Sequence, residues 1–350
     1  MSFRPPRCPN LHCPAHQDPS TNRIIRWGSF PARCREQREQ RFRCLECRKT
    51  FSRQTFRYDY RDRRPDCNER LFELLTSGLG LRQAARVLKL GPSTVQKKMR
   101  KLSLTCELLH ENLSRSLPPG RTYLLDEEES YENASIRPLT VPILIERQHW
   151  FVVATGVGSI RRLAPAGSAR RARQNFDELR CGRRPDESRH CVAQVLRALR
   201  RKSSGRLGLL TDQKSSYATL AREVFDSDVT HATSAGSAPR TTQNLLFPIN
   251  ATIAMSRDNC GRLRRKSWLV SKRARWLRGQ LAVFTVYRNY VRRRFNRDKP
   301  HETPAKLLGL VPRQLHPMEV VRWRQDWGIR SLHPISLHGG ETVLAGGMAM

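Results

Sequence analysis

The sequence predicts a multidomain chain: a small cysteine-stapled module, a short helical unit, then an α/β domain with a mixed sheet. Three observations predict it. Four of the ten cysteines fall into two close pairs near the start of the chain. Apolar residues recur at helical spacing between Asp66 and Leu102. From Tyr123 onward, short apolar runs suited to strands alternate with helical segments. At roughly 150 residues per domain, 350 residues suggest about two globular units plus smaller modules. The divisions read from the pattern are residues 1–58, 66–103, 118–298 and a tail over 299–350.

Composition points to a partner. With 65 Lys+Arg against 31 Asp+Glu the formal net charge is +34. Arg-rich runs recur at Arg61 to Arg64, Arg170 to Arg173, Arg262 to Lys266 and Arg292 to Arg294. A single run is as readily a solvated face. Excess charge along the whole chain points to a polyphosphate, where each neutralised phosphate releases condensed counterions. No apolar stretch approaches the ~20 residues needed to span a bilayer, so no membrane partner is expected. The start, MSFRPPRCPN, has no apolar signal core. The expectation is an intracellular chain, cytoplasmic and nucleoid-associated, in a reducing compartment where cysteines serve metals rather than disulfides.

In the first module, Cys8 and Cys13 are followed by Cys44 and Cys47. Two short-spaced pairs bring four thiolates around one zinc ion, and a module this small needs such a staple. Pro9 and Asn10 supply the turn inside the first pair. Cys34, His12 and His16 are substitute ligands, less well spaced. A zinc of this kind is structural.

In the helical unit, Leu81 to Leu88 reads as a short helix, Lys89-Leu90-Gly91 as a turn, and Pro92-Ser93-Thr94 as the capped start of the next. That is a helix-turn-helix. Its second helix carries Gln96, Lys97, Lys98 and Arg100, side chains suited to bases and phosphates in a major groove. An ordinary helical hairpin is the alternative. Ser116 to Gly120 then reads as a linker.

In the α/β domain, Tyr123 to Leu125, Leu139 to Ile145 and Trp150 to Val157 read as strands. A polar, Arg-rich stretch precedes a helix from Asp186 to Arg200, a strand at Leu207 to Leu210 and a helix from Ser216 to Phe225. Asp126 ends the first of these strands and Asp212 follows the fourth. Aspartates projecting from adjacent strands into one site can share Mg²⁺, which takes oxygen ligands and activates water or a 3′-hydroxyl for phosphoryl displacement. Two aspartates that merely cap loops are the alternative.

The four cysteines, the helix-turn-helix, LLDEEESYE at Leu124 to Glu132 and LLTDQKSSY at Leu209 to Tyr217 together resemble bacterial insertion-sequence transposases of the DDE type, above all the group typified by insertion sequence one. A further block, from Arg257-Asp258 through Arg262-Leu263 and Arg265-Lys266-Ser267 to Ser271-Lys272, is similar to that group's helix after the second aspartate. The resemblance runs over about 300 residues. It implies an RNase H-like catalytic fold, DNA strand transfer at inverted repeats, and a homo-oligomer that joins two ends. It also implies a third acidic ligand, a glutamate, where this chain has Asn250. An amide oxygen can coordinate a metal but brings no charge and no base. Asp258, some 80° round the helix and about two turns on, and Glu127 to Glu129 are the candidates to compensate. Arg262, Arg265, Lys266 and Lys272 would hold the DNA backbone.

Two function classes follow: a DDE-type transposase, or a sequence-specific DNA-binding protein with a dead site, to which the missing glutamate points. A ribosomal or RNA-associated protein would explain charge and zinc but not the ordered acidic motifs. Trp150, Trp268, Trp276 and Tyr287 lie among basic residues, where they stack on frayed bases or, with more weight, belong to the core. His231 and Ser234 to Gly236 follow a strand near the site, with His231 a candidate phosphate contact. Trp323, Trp327 and His333 in the tail carry no readable chemistry.

Overall fold

The computed structural model describes residues 4–5, 7–10, 12–18, 23–31, 38–56, 59–60, 62–235, 239, 241–264 and 268–323, with the backbone of 335–337 and 341–343. A one-turn helix α1 (Pro14–Gln17) precedes three antiparallel strands, β1 (Ile24–Pro31), β2 (Arg38–Cys44) and β3 (Thr50–Ser52). Their small core holds Phe42, Phe51 and Phe56 beside three of the cysteines. Three helices follow: α2 (Asn68–Thr76), α3 (Leu81–Val87) and α4 (Pro92–Leu113).

The α/β part comprises β4 (Thr122–Tyr131), β5 (Pro138–Glu146), β6 (Val152–Thr155), β7 (Gly158–Ser159), α5 (Ala169–Cys181), α6 (Ser188–Lys202), β8 (Leu207–Thr211), α7 (Ser215–Phe225), β9 (Val229–Thr233), α8 (Phe247–Asn259) and α9 (Ala274–Val286). The sheet order is β6-β5-β4-β8-β9, with β7 also on β5. The first three strands are antiparallel; β4, β8 and β9 run parallel. Side chains alternate between the two faces of a strand, and the core divides accordingly. Leu125, Leu144 and Leu209 join α6 and α7 in one cluster. Leu124, Ile143 and Leu210 meet Ile249 and Ile253 of α8 and Leu277 and Leu281 of α9 in the other.

Three expectations change in extent. Asp126 does not end its strand: β4 runs on to Tyr131, paired with β5. The helix read as ending near Leu102 runs on to Leu113, because Cys106, Leu109 and Leu113 continue its apolar stripe into the cluster shared with Phe151 and Val153. His110 fixes this half: its Nε2–H donates to the Val153 carbonyl at 2.9 Å and Nδ1 accepts from the Tyr290 hydroxyl at 3.1 Å. Burial pushes its pKa down to about 3, so the ring is neutral. The stretch after Pro300 is also structured, with α10 (Pro304–Leu307) and α11 (Pro317–Arg322). Ala305, Leu308, Val320 and Trp323 belong to the same core as α2 and α4. A last pair, β10 (Ile335–Leu337) and β11 (Glu341–Val343), is antiparallel.

The helical unit meets the α/β part through glycines. A Cβ on Gly261, just after α8, would lie 2.4 Å from the Gly78 carbonyl oxygen. Gly78, between α2 and α3, has φ +78°, and a Cβ there would lie 2.6 Å from the Asp258 carbonyl oxygen. Both obstacles are backbone, which cannot rotate away. We predict that Gly261→Ala destabilises the fold by about 1–3 kcal/mol, read in thermal melts; an unchanged melting temperature would show that this junction is loose.

Candidate functional site

The cysteine cluster is built by two turns. Asn10 accepts from the Cys13 N–H through its carbonyl at 3.0 Å, and its own N–H points to Cys8 Sγ at 3.5 Å. Beyond the second pair, Arg48 adopts a left-handed φ of 59°, and the Cys44 N–H donates to the Lys49 carbonyl at 3.0 Å. The sulfurs of Cys8, Cys13, Cys44 and Cys47 all lie within 4.8 Å of one another. Cys8 and Cys47 are 3.5 Å apart, Cys13 and Cys44 3.8 Å. A zinc tetrahedron with bonds of about 2.3 Å has edges of about 3.8 Å, so the four cysteines can hold zinc. Burial pushes the Cys8 and Cys13 thiols up, whereas at Cys47 it is outweighed by hydrogen bonds from the Lys49 N–H, Cys8 and neighbouring groups, which bring that thiol down to about 7. His16 stands beside the cluster with Nδ1 2.7 Å from the Cys8 carbonyl, and His12 is exposed. The cluster contains neither histidine. Cys34 lies outside the described residues.

The acidic site forms where β4 and β8 run side by side. Their register pairs Tyr123 with Leu209 and Leu124 with Leu210. Asp126 lies two residues past the last pair on β4, and Asp212 two residues past it, just beyond the end of β8; the charge of Asp212 acts on Asp126. Asp126 Oδ1 accepts from the Glu127 N–H at 2.7 Å, and Asp212 Oδ1 from the Lys214 N–H at 3.0 Å. Burial, with the charges of Asp212, Glu127 and Glu128, pushes the Asp126 carboxyl up to about 6.

The three glutamates that follow each have a cation. Glu127 accepts from Lys214 Nζ at 2.5 Å, from the Tyr217 hydroxyl at 2.8 Å and from Thr140. Glu128, fully buried, pairs with Arg257 of α8, and Glu129 with Arg162. Asp126 and Asp212 have no ion pair among the described residues.

Helix α8 lies along β4. Phe247 in its first turn packs edge-on against Trp150, at the Tyr123 end of the strand, and Arg257 reaches Glu128. Asn250 precedes Arg257 by seven residues, two turns that bring it back to within about 20° of the same direction, about 10.5 Å along the axis. It is half-buried in the first turn. Asp258 is rotated about 100° from Arg257 and exposed, its carbonyl 3.3 Å from the Arg264 guanidinium.

Helix α4, expected as the second helix of a helix-turn-helix, starts differently from the expected cap. Gly91 is the N-cap, with no side-chain bond, and Pro92 takes the first helical position. Lys89 closes the preceding turn at φ 52°. Gln96, Lys97 and Arg100 are exposed on α4. Lys98, expected to face DNA, does not: it is buried, its Nζ donating to both Asp62 carboxylate oxygens at 2.6 and 2.8 Å, to the Arg64 carbonyl at 2.6 Å and to Asn68 Oδ1 at 2.7 Å. Burial pushes the Asp62 carboxyl up, but the bonds from Lys98 and Asn68 outweigh it and hold it below the usual carboxylate range.

Of the remaining expectations, Arg262 is half-buried against Ser271, 3.3 Å away, and burial pushes it down to about 10. It is less available to DNA than expected. Lys272 is exposed. Arg265, Lys266, Gly236, Trp327 and His333 lie outside the described residues. Trp150 belongs to the core, while Trp268 is 94% exposed; Trp276 and Tyr287 are half-buried. His231 sits 2.9 Å from Thr211 Oγ1, next to Asp212. The sequence reading missed the cationic partners of the glutamates and α5; the acid–base spacing across 33 to 129 residues leaves no local signal.

No helix among the described residues is long and apolar enough to cross a membrane. No family model matches the sequence. The chain is 33% identical over 91 residues to the insertion element iso-IS1N protein InsA of Shigella dysenteriae, a match that spans 26% of this chain and 89% of that protein. With its four-cysteine cluster and its insertion-element relative, the chain belongs to the family of that insertion element protein.

Proposed function

We propose that the chain is a DDE-type DNA transposase with an RNase H-like catalytic domain, cleaving and joining DNA at inverted repeats. One observation carries the reading. Of five carboxylates gathered where β4 meets β8 and α8, three have cations and the other two, Asp126 in β4 and Asp212 just after β8, have none among the described residues. Two half-buried acids left together, one with its pKa raised to about 6, fit a divalent cation that takes oxygen ligands. The sheet order, with the first strand central, the next two antiparallel beside it and the last two parallel on its other edge, supports the fold assignment. So does the insertion-element relationship.

Asp126 and Asp212 would hold Mg²⁺, which when bound supplies Lewis-acid activation of a water or 3′-hydroxyl. Asn250, turned the same way along α8 as Arg257, is the third side chain on that helix face, and Asp258 is the lesser candidate. The paired glutamates keep the surrounding charge balanced. The cysteine module and the exposed face of α4 would dock double-stranded DNA, with Gln96, Lys97 and Arg100 toward it and Lys272 on the backbone. Joining two element ends requires at least two copies, hence a homo-oligomer. The divisions at 1–58, 66–103, 118–298 and 299–350 belong to this reading, with α4 and α10–α11 binding the units into one body. Asn250 in place of an acid favours a second reading, a sequence-specific DNA-binding protein without cleavage.

Cleavage of flanking inverted-repeat DNA in Mg²⁺ or Mn²⁺ is expected from the wild type. It should fall by about 10²-fold or more in Asp126→Asn and Asp212→Asn, and change little in Asp258→Asn. Specific binding by the wild type with no cleavage would select the second reading. The two neighbouring lysines separate by assay. Lys98→Ala should lower folding stability by about 3–5 kcal/mol, since it strands a buried carboxylate. Lys97→Ala should leave melting unchanged and reduce the salt slope of DNA binding by about one. The reverse pattern would contradict the orientation of α4.

A further inference from the structure

Between α4 and α9 runs a groove of about 690 Å³, lined by Lys97, Arg100, Lys101, Arg275, Arg278 and Trp276. Its walls are in close contact. A Cβ on Gly279 would lie 2.7 Å from Ser103 Oγ, so the two helices touch at its base, and Gln280 Nε2 donates to the Leu75 carbonyl at 3.3 Å behind it. Five cations line it against one acid, Glu107. Two of the five are partly engaged, Lys101 with the Tyr60 carbonyl at 2.8 Å and Arg278 with the Val157 carbonyl at 3.2 Å. Lys97, Arg100 and Arg275 are exposed.

The groove also has an apolar element. Trp276 is half-buried, with the Arg275 guanidinium 5.1 Å from its ring centroid. Leu104, which also lines the groove, is 46% exposed. The volume lies within the range of about 300–1,000 Å³ typical of sites that enclose a drug-sized molecule, a class to which a nucleotide belongs. A duplex can lay its backbone over such a slot but cannot enter it. Cations along a groove with an aromatic platform are the combination that tracks a single strand: phosphates on the charges, bases on the ring.

We propose that this groove takes a single-stranded segment of DNA, with phosphates along Lys97, Arg100 and Arg275 and a base stacked against Trp276. The proposal rests on the reading of α4 as a DNA-binding helix, because Lys97 and Arg100 belong both to its exposed face and to the groove. A strand unpaired from a duplex on that face would pass directly into it. It does not depend on cleavage.

The test is fluorescence anisotropy of the full-length protein with a labelled oligothymidine and with a duplex of the same length. Wild type should bind both. Trp276→Ala should weaken oligothymidine binding by about 5- to 150-fold, the range for one lost base stack, with duplex binding unchanged, and Trp276→Phe should retain most of the affinity. Should Trp276→Ala lower the melting temperature, Leu104→Glu serves instead, since it adds an acid at an exposed position and should also weaken oligothymidine selectively. Binding of duplex without oligothymidine, or equal losses on both, would overturn the proposal. Inverted-repeat cleavage with no selective effect of these variants would remove this inference alone; selective effects in a protein that never cleaves would remove only the catalytic reading.

Discussion

The parallel pairing of β4 with β8 is the constraint on which the rest of the molecule depends. It brings Asp126, inside β4, near Asp212, just beyond the end of β8. Everything around them is consistent with keeping that pair apart from the protein's abundant cations. Lys214, Arg257 and Arg162 are each drawn off by a glutamate of the same strand. In a chain with a formal charge of +34, two partly buried carboxylates without an ion pair among the described residues stand out, and the Asp126 carboxylate is disfavoured first by burial and then by the charges of Asp212, Glu127 and Glu128. Such groups are commonly sited where function needs them.

The helical unit is not a tethered appendage. Half of α4 lies in the same core as the central sheet, α9 packs along it, and α10 and α11 close over α2 and α4. Gly78 and Gly261 bring backbone against backbone at the junction. The helix carrying Gln96, Lys97 and Arg100 therefore shares a packed core with the sheet that bears the acidic pair. In the proposed reading, DNA bound at one is positioned for the other by packing rather than by a flexible linker, and entropy that a linker would lose on binding is lost on folding instead.

What the sequence disclosed and what it withheld follow from the range of the interactions. The cysteine pairs were legible because turn and ligand lie within a few residues, and the four sulfurs do converge. The place of Asp212 just after β8 was legible because it follows an apolar run; Asp126 was expected to end its strand and instead lies inside β4, because Glu127 to Glu129 interrupt the apolar pattern while the pairing with β5 continues to Tyr131. Lys98 was not legible: helical spacing places it beside Lys97 and Arg100 in a basic run, and its partners Asp62, Arg64 and Asn68, 30 to 36 residues earlier, turn it inward. The extension of α4 to Leu113 was masked by polar residues between its apolar positions. Helix α5 was passed over as an Arg-rich stretch because its single buried side chain is Gln174, leaving no apolar stripe. The order in the tail up to Trp323 depends on long-range contacts with α2 and α4 that no local pattern carries.

The central claim is that burial and the charge of Asp212 disfavour the Asp126 carboxylate, and that a divalent cation held by the two aspartates would offset that cost. An Asp126 pKa raised to about 6 means that the folded state holds a proton the unfolded chain releases between the ordinary carboxylate value and 6. Stability from this group is therefore full at low pH and lost as pH rises through that window. The direct measurement is thermal melting of wild type and Asp126→Asn across pH, with and without Mg²⁺. Without the ion, Asp126→Asn should melt above wild type by a few degrees near pH 7.5, the gap closing as pH falls below 6. Mg²⁺ should raise the wild type at pH 7.5 and leave Asp126→Asn unmoved. Equal melting of the two proteins at every pH, or an equal response to Mg²⁺, would contradict the account.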